Sequence, residues 1–389
     1  MTVKPWGNLV GVRPTKPLHS LLDQGLSYED ALEAMQSRYG ISGDKFDLLW
    51  QIAATARPVL AESGDPALFS VYVGIPFCPS RCLYCSFPSH SLTDLGRYRG
   101  HFVDSLVHEI TEAGEQTAVA GMRPFTVYIG GGTPTALEPE ELNRILTSLR
   151  ESFPGELREF TVEAGRPETL TDDHFQVLKQ NGVDRISVNP QTMHGSTLAL
   201  IGRKHTPDDV ILAVDKARNY GIEIINMDVI IGLPGENTGM VEETANQLLA
   251  LHPENITMHV FARKRASRFN DQQKAYSLPN ASEATKMHSK VTEMVKGTYE
   301  PYYLYRQRDI LGGLENIGYT LPGRQCLYNI LMIEERHNII GLGGGASSKF
   351  IKRDYSLTNS STPKDVRVYL ERIDQLVERR GNQIKKQAE

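Results

Sequence analysis

The stretch VGIPFCPSRCLYCSF, residues 73–87, holds Cys78, Cys82 and Cys85, three of the four cysteines in a chain of 389 residues. The fourth, Cys326, lies far downstream and reads as a buried packing thiol. Just before the cluster, residues 71–75 form a short apolar, β-rich run, which puts the three thiols on a loop leaving a strand. Crowded cysteines in a reducing compartment point to metal binding or catalysis rather than to disulfides.

Soft thiolates favour zinc or an iron–sulfur cluster. A closed structural zinc site needs four ligands, usually in paired C-x2-C units, so a zinc knuckle here requires His90 or Cys326 to complete it. A four-iron cluster on three protein thiolates instead leaves one iron open to a small molecule, and the C-x3-C-x2-C spacing favours that reading.

The rest of the chain supplies a scaffold for such a loop. A 40% hydrophobic content allows one large core with an appendage, or two ordinary domains. No apolar run approaches the roughly 20 residues of a membrane span, and no signal-peptide core opens the chain, so a soluble, cytoplasmic protein is expected. A net charge of -5 gives no footprint for nucleic acid over the whole chain.

Residues 1–65 read as helical, with Ser27 as an N-cap and Ala31, Leu32 and Met35 at helical spacing. From Val71, apolar runs at 71–75, 126–129, 160–163, 185–188, 222–231 and 255–261 alternate with helical patterns at 98–117, 139–152, 171–181, 207–220 and 239–251. Six such units predict an α/β fold, a partial (β/α)6 barrel of the TIM type, with a parallel sheet and crossover helices. The expected organisation is an N-terminal helical segment over 1–65, the barrel over 66–265 and a C-terminal α+β region over 266–389. In that last region, 363–379 reads as one amphipathic helix with Val366, Leu370, Ile373 and Val377 inward, followed by a polar tail from Gly381 that is expected to fray. In a barrel the cysteine loop stands at the C-terminal mouth, where catalytic groups gather.

Further residues gather at the expected strand exits. Gly130, Gly131, Gly132 and Thr133 follow the second strand, Glu163 ends the third, and Asp228 sits inside the fifth, where a buried carboxylate demands a partner. The run Arg263, Lys264, Arg265 and Arg268 follows the sixth and offers capture of substrate carboxylates, with Arg263 and Arg265 as the nominated residues. The glycine-rich segment 341–349 is not a P-loop, because Ser-Lys stands where that motif requires Gly-Lys-Ser or Gly-Lys-Thr.

The C-x3-C-x2-C loop after a first strand resembles the signature of the radical S-adenosylmethionine (SAM) superfamily. YVGIPFC followed by CLYCSF, with GGGTPT, IGLPGE and GLGGGASSK in order behind it, resembles the oxygen-independent coproporphyrinogen III dehydrogenase family, HemN/HemW-like, in its HemZ-like branch. The resemblance implies a [4Fe-4S] cluster on Cys78, Cys82 and Cys85, with SAM contacted by Tyr72, Tyr84, Gly131, Gly132, Thr133, Glu163, Gln191, Arg203, Asp228 and Ile230. It further implies that SAM binds the open iron, is split by one electron, and yields a radical that takes a hydrogen from substrate. In the dehydrogenases a propionate of coproporphyrinogen III then loses carbon dioxide and one electron and becomes a vinyl group, twice, giving protoporphyrinogen IX. A one-electron donor such as flavodoxin or ferredoxin is implied, and a monomer is expected.

Two departures stand out. The dehydrogenases carry a fourth cysteine and a histidine where this chain has Phe87 and Gly74. HemW-type haem chaperones share the Phe, but their HN-x-x-YW motif falls at residues 328–333, which here read YNILMI. A methyl or methylene transferase on the same scaffold is the third reading.

Overall fold

Near-continuous burial along the first strand fixes the architecture. The structure, a computed structural model, describes residues 5–388 apart from 88, 265, 266, 268, 270–275 and 353. Strand β1 (Leu68–Ile75) is buried on both faces, as a strand covered by layers on either side must be. It is followed by β2 (Arg123–Gly131), β3 (Glu159–Val162), β4 (Arg185–Ser187), β5 (Ile224–Ile231) and β6 (Asn255–Val260). These six lie side by side in chain order and are all parallel. Intervening helices α4 (Arg99–Val119), α5 (Pro139–Ser152), α6 (Asp172–Gln180), α7 (Pro207–Asn219) and α8 (Thr238–Ala250) match the sequence periods to within two residues at each end. Two of these helix starts are legible in local chemistry: Glu138 and Glu141 cap α5, and Thr206 with Asp209 caps α7. The α/β barrel-type fold expected from the alternation is the fold observed.

Preceding the sheet, α1 (Thr15–Asp23), α2 (Tyr28–Tyr39) and α3 (Gly43–Glu62) form the helical opening. Ser27 caps α2, accepting from the Asp30 amide, and Gly40 ends it at φ 66°, a left-handed conformation that glycine adopts without a Cβ penalty. Helix α3 buries Phe46, Leu49 and Ile52, and hydrogen bonds from Trp6 to Glu315 and from Thr15 to Glu334, each 2.9 Å, tie this opening to the C-terminal third.

That C-terminal third continues the same sheet at both edges. Strands β7 (Glu300–Tyr305) and β8 (Asn316–Thr320) add antiparallel beyond β6, with β8 the direct neighbour. On the other edge β9 (Asn338–Gly343) pairs parallel with β1, and β10 (Ser347–Ile351) and β11 (Leu357–Ser361) follow antiparallel. Eleven strands thus form one sheet among the described residues.

The end of the chain differs from the sequence expectation in two ways. The 363–379 segment is two helices, Val366–Glu371 and α11 (Ile373–Ala388), after α9 (Ala281–Val295) and α10 (Leu327–Glu334) earlier in this third. The tail from Gly381 is helical to Ala388 rather than frayed, because Ile384 is fully buried and Arg380 enters an internal ion pair with Glu109. Glu109, fully buried on α4, also accepts from the Gly343 amide at 2.7 Å and from the Tyr369 hydroxyl at 2.6 Å. The last helix is thereby anchored to the turn after β9.

That turn in turn rests on β1. The Gly344 amide donates to the Gly74 carbonyl at 2.9 Å, and a Cβ added to Gly74 would stand 2.5 Å from the Gly344 oxygen. Two outcomes follow for urea unfolding. Arg380→Met strands the Glu109 carboxylate and lowers stability by about 3–5 kcal/mol. Gly74→Ala overpacks the contact and lowers it by about 1–3 kcal/mol.

Candidate cofactor and active site at the strand exits

All six parallel strands end at one edge of the sheet, and their exits surround a cavity of about 360 Å³. Cys78, Cys82 and Cys85 line it together. Cys78 sits in a two-residue strand, Phe77–Cys78, pinned by pairing with His90–Ser91. Its Sγ lies 3.5 Å from the Thr133 hydroxyl, and Arg166 donates to the Cys82 Sγ at 2.9 Å. Burial pushes the Cys85 thiol up from its ordinary range, while the Phe87 amide draws it down. Neither candidate for the fourth ligand of a zinc knuckle is on this wall: His90 Nε2 is bonded to the Lys364 carbonyl at 3.1 Å, and Cys326 is buried elsewhere against Glu159, 3.2 Å away.

Next to the cysteine loop, the glycine loop closes against it backbone to backbone. Gly132 N donates to Ile75 O and Thr133 N to Phe77 O, both at 2.7 Å. Gly131 adopts φ +102°, and a Cβ on Gly132 would meet the Phe77 carbonyl at 2.3 Å. No side chain fits between these loops, so the glycines serve close approach rather than a turn alone.

Of the residues expected to meet SAM, Tyr84, Gly131, Gly132, Thr133, Glu163, Gln191, Arg203, Asp228 and Ile230 all line the cavity. Tyr72 does not; its ring stacks on Tyr328 at 5.9 Å and on Tyr128 at 6.2 Å, behind the wall. Arg263 is exposed beyond β6, its amide bonded to Asp309 O at 3.1 Å, and it is not on the lining. Arg265 lies outside the described residues.

The polar atoms of this wall are only partly used. Arg203 donates to Gly165 O at 2.7 Å and to the Tyr84 hydroxyl at 3.3 Å, yet its Nε has no partner among the described residues. The Gln191 Oε1 is likewise buried and unpaired among them, and Gln191 is held at φ 67° by amide bonds to and from β5. Unsatisfied buried polar atoms and a strained non-glycine backbone together mark a place built for a ligand. Three thiols on one cavity wall, a glycine cradle and these orphan atoms are a donor set and space of the kind a [4Fe-4S] cluster with SAM beside it requires.

Several lining residues carry no sequence signal by themselves. Arg166, buried and held by Ser80 O at 2.8 Å and Glu168 at 3.1 Å, sits in a polar stretch without a motif. Tyr128, in the middle of an apolar strand, donates to Glu163 at 2.5 Å. Asp228 accepts from Asn226 at 2.8 Å and stands 3.4 Å from His259 Nε2, whose Nδ1 meets the Tyr305 hydroxyl at 2.9 Å. Strand alternation could have flagged His259, which alternates with the polar Asn255 and Thr257 along NITMHV; Tyr305 comes from a strand whose place beyond β6 is a long-range fact.

Comparison with known proteins bears on the family and the fold. The chain matches the radical SAM superfamily over residues 72–248. It is 41% identical to the oxygen-independent coproporphyrinogen-III oxidase-like protein HemZ of Bacillus subtilis over 376 residues, 95% of this chain and 75% of the relative. To the heme chaperone HemW of Lactococcus lactis it is 31% identical over 282 residues, 72% of this chain and 69% of that one. Among solved structures, coproporphyrinogen III oxidase (HemN) from Escherichia coli aligns with a TM-score of 0.64 at 20% identity, covering 82% of this chain and 72% of the other. The last likeness shows a shared fold.

Glu163 gives this wall a measurable pH signature. Burial raises its pKa from 4.5 to about 7; the Tyr128 hydrogen bond opposes the rise and the Asp228 charge adds to it. A carboxyl whose folded pKa exceeds its unfolded one contributes stability that is full below pH 4.5 and lost as pH rises through about 7. Between those limits the loss runs at about 1.4 kcal/mol per pH unit. Urea midpoints of the cofactor-free chain should fall across that window, and Glu163→Gln should flatten the slope. Equal slopes in both proteins would overturn this account.

Proposed function

The chain belongs to the radical SAM superfamily and, within it, to the HemN/HemW-like family in its HemZ-like branch, and from that premise we propose that it is a coproporphyrinogen III dehydrogenase. Its cofactors are the [4Fe-4S] cluster and SAM of its superfamily. The reaction proposed is oxygen-independent: oxidative decarboxylation of two propionates to vinyl groups, with protoporphyrinogen IX as product. The observation that carries the reading is the convergence of three thiols, a side-chain-free glycine loop and the unpaired Gln191 and Arg203 atoms on one cavity.

In this reading Cys78, Cys82 and Cys85 ligate the cluster, and Arg166 holds the Cys82 loop while offsetting thiolate charge. The Gly131 and Gly132 backbone admits the amino acid end of SAM, with Glu163 and Arg203 as its charged partners. Gln191 and Asp228 offer acceptors to hydroxyl groups, and Tyr84 presents a ring to the base. When bound, cluster and SAM supply the one-electron cleavage and the hydrogen-abstracting radical that side chains cannot generate. The protein's contribution is orientation and exclusion of water, for which Tyr128 on the lining is backed by the stacked rings of Tyr72 and Tyr328. An external one-electron donor, such as flavodoxin or ferredoxin, starts each cleavage, and a one-electron acceptor takes the electron the substrate radical releases with carbon dioxide.

Tyr328 also weighs against a chaperone role. Its ring is buried and stacked 4.5 Å from Tyr128, so its hydroxyl is not presented to an incoming haem iron. The deciding experiment is an anaerobic turnover of the reconstituted protein with SAM, a strong reductant and coproporphyrinogen III, read by mass spectrometry. Substrate-dependent 5′-deoxyadenosine with successive carboxyl losses is expected. SAM cleavage with untouched porphyrinogen would defeat the substrate assignment, and haem binding without SAM turnover would favour the chaperone.

A further inference from the structure

Four cations line the cavity among the described residues: Arg81, Arg166, Arg203 and Lys264. Three are already engaged. Arg166 serves Ser80, Glu168 and Cys82, Arg203 serves Gly165 and Tyr84, and Arg81 has an interaction of its own. Lys264 differs, since it has no carboxylate partner among the described residues although it is half-buried at the exit of β6. Its ammonium lies 5.8 Å from the ring centroid of Phe87, which is 59% exposed at the same mouth.

Among the described residues the charge nearest in effect is the Cys85 thiol on the same wall, and a half-withdrawn ammonium with no carboxylate of its own favours an anion arriving from outside. Around it the lining offers apolar area, from Phe87, Phe261, Met332 and Ile333, and no second uncommitted cation among the described residues. The mouth therefore matches a molecule with an apolar ring and a carboxylate at its rim.

We propose that Lys264 is the anchor for a substrate carboxylate and that Phe87 is the apolar platform beside it, so that this pair determines specificity for a ring-bearing carboxylic acid. The inference rests on the porphyrinogen reading and deepens it. It also moves the anchoring charge from the exposed Arg263 to its neighbour. In the dehydrogenases, position 87 belongs to a cysteine; here the same position carries a side chain that contributes binding area and a cation–π contact to Lys264.

The test is a binding titration on the reconstituted holoprotein, with porphyrin fluorescence as the readout. Coproporphyrin III and its tetramethyl ester are the probes, alike in ring and different in charge. The native protein should prefer the free acid. Lys264→Met should weaken acid binding by about 10- to 100-fold, the range of one charge-assisted hydrogen bond, and leave ester binding unchanged. Lys264→Arg should restore most of the preference, and Phe87→Ala should weaken acid and ester alike. Iron content and SAM affinity should not move in any variant.

Retention of the acid preference by Lys264→Met overturns the anchor, and so does a parallel loss of SAM affinity or iron, which would assign Lys264 to the cofactors. If the native protein turns over coproporphyrinogen III but Lys264→Met keeps the native KM, the anchor falls alone. If the native protein prefers the acid through Lys264 yet does not decarboxylate the porphyrinogen, the anchor stands and the reaction assignment falls.

Discussion

Two backbone hydrogen bonds, Gly132 N to Ile75 O and Thr133 N to Phe77 O, hold the whole site together. Neighbouring parallel strands run roughly 4.8 Å apart, so loops leaving two adjacent strands collide unless one of them is backbone alone. Gly131 and Gly132 meet that condition, and the bonds they allow set the height of Cys78 relative to Thr133. One strand further, a Cβ on Gly130 would stand 2.7 Å from the Glu163 carboxylate, so the same absence of side chains lets Glu163 lean over the second strand. Thiol, glycine and carboxylate are thus spaced by the geometry of the sheet and by the close contacts its side-chain-free loop allows.

Around that frame, charge is kept inside by partners with short reach. Glu163 is met by Tyr128, Asp228 by Asn226 and His259, and Arg166 by Glu168 and two groups of the cysteine loop. Burying such groups without hydrogen bonds costs several kcal/mol each, so the polar network is what permits an ionisable wall in a parallel sheet. The atoms left over, Gln191 Oε1 and Arg203 Nε, are where that rule is incompletely met within the protein, and a ligand is the natural way to meet it.

The parts of this arrangement legible in the sequence were those written in local pattern. Apolar alternation placed six strands and five crossovers, and the cysteine spacing placed the loop. What periodicity does not carry is pairing between distant segments. Nothing in 338–343 says that it lies beside β1, or that β8 lies beside β6, because either apolar run would suit any edge of the sheet. The polar tail from Gly381 read as fraying for the same reason: Arg380, the residue just before it, is internal only because Glu109, 271 residues away, pairs with it. Within the site, Lys264 and Arg263 are adjacent and chemically alike, and only the direction of the chain leaving β6 separates the one on the cavity from the one in solvent.

That long-range packing also explains the Gly74 departure from the dehydrogenase pattern. The Gly344 carbonyl occupies the space a side chain on Gly74 would need, and the Gly344 amide takes the Gly74 carbonyl as its acceptor. A histidine at position 74 is therefore incompatible with the turn after β9 as it stands. The turn is not free to move, since Glu109 holds the Gly343 amide while also binding Tyr369 and Arg380 from the last two helices. The strand that carries the cysteine loop is thus supported by the C-terminal helix through a carboxylate and a glycine turn. Where the dehydrogenases place an imidazole, this chain places backbone.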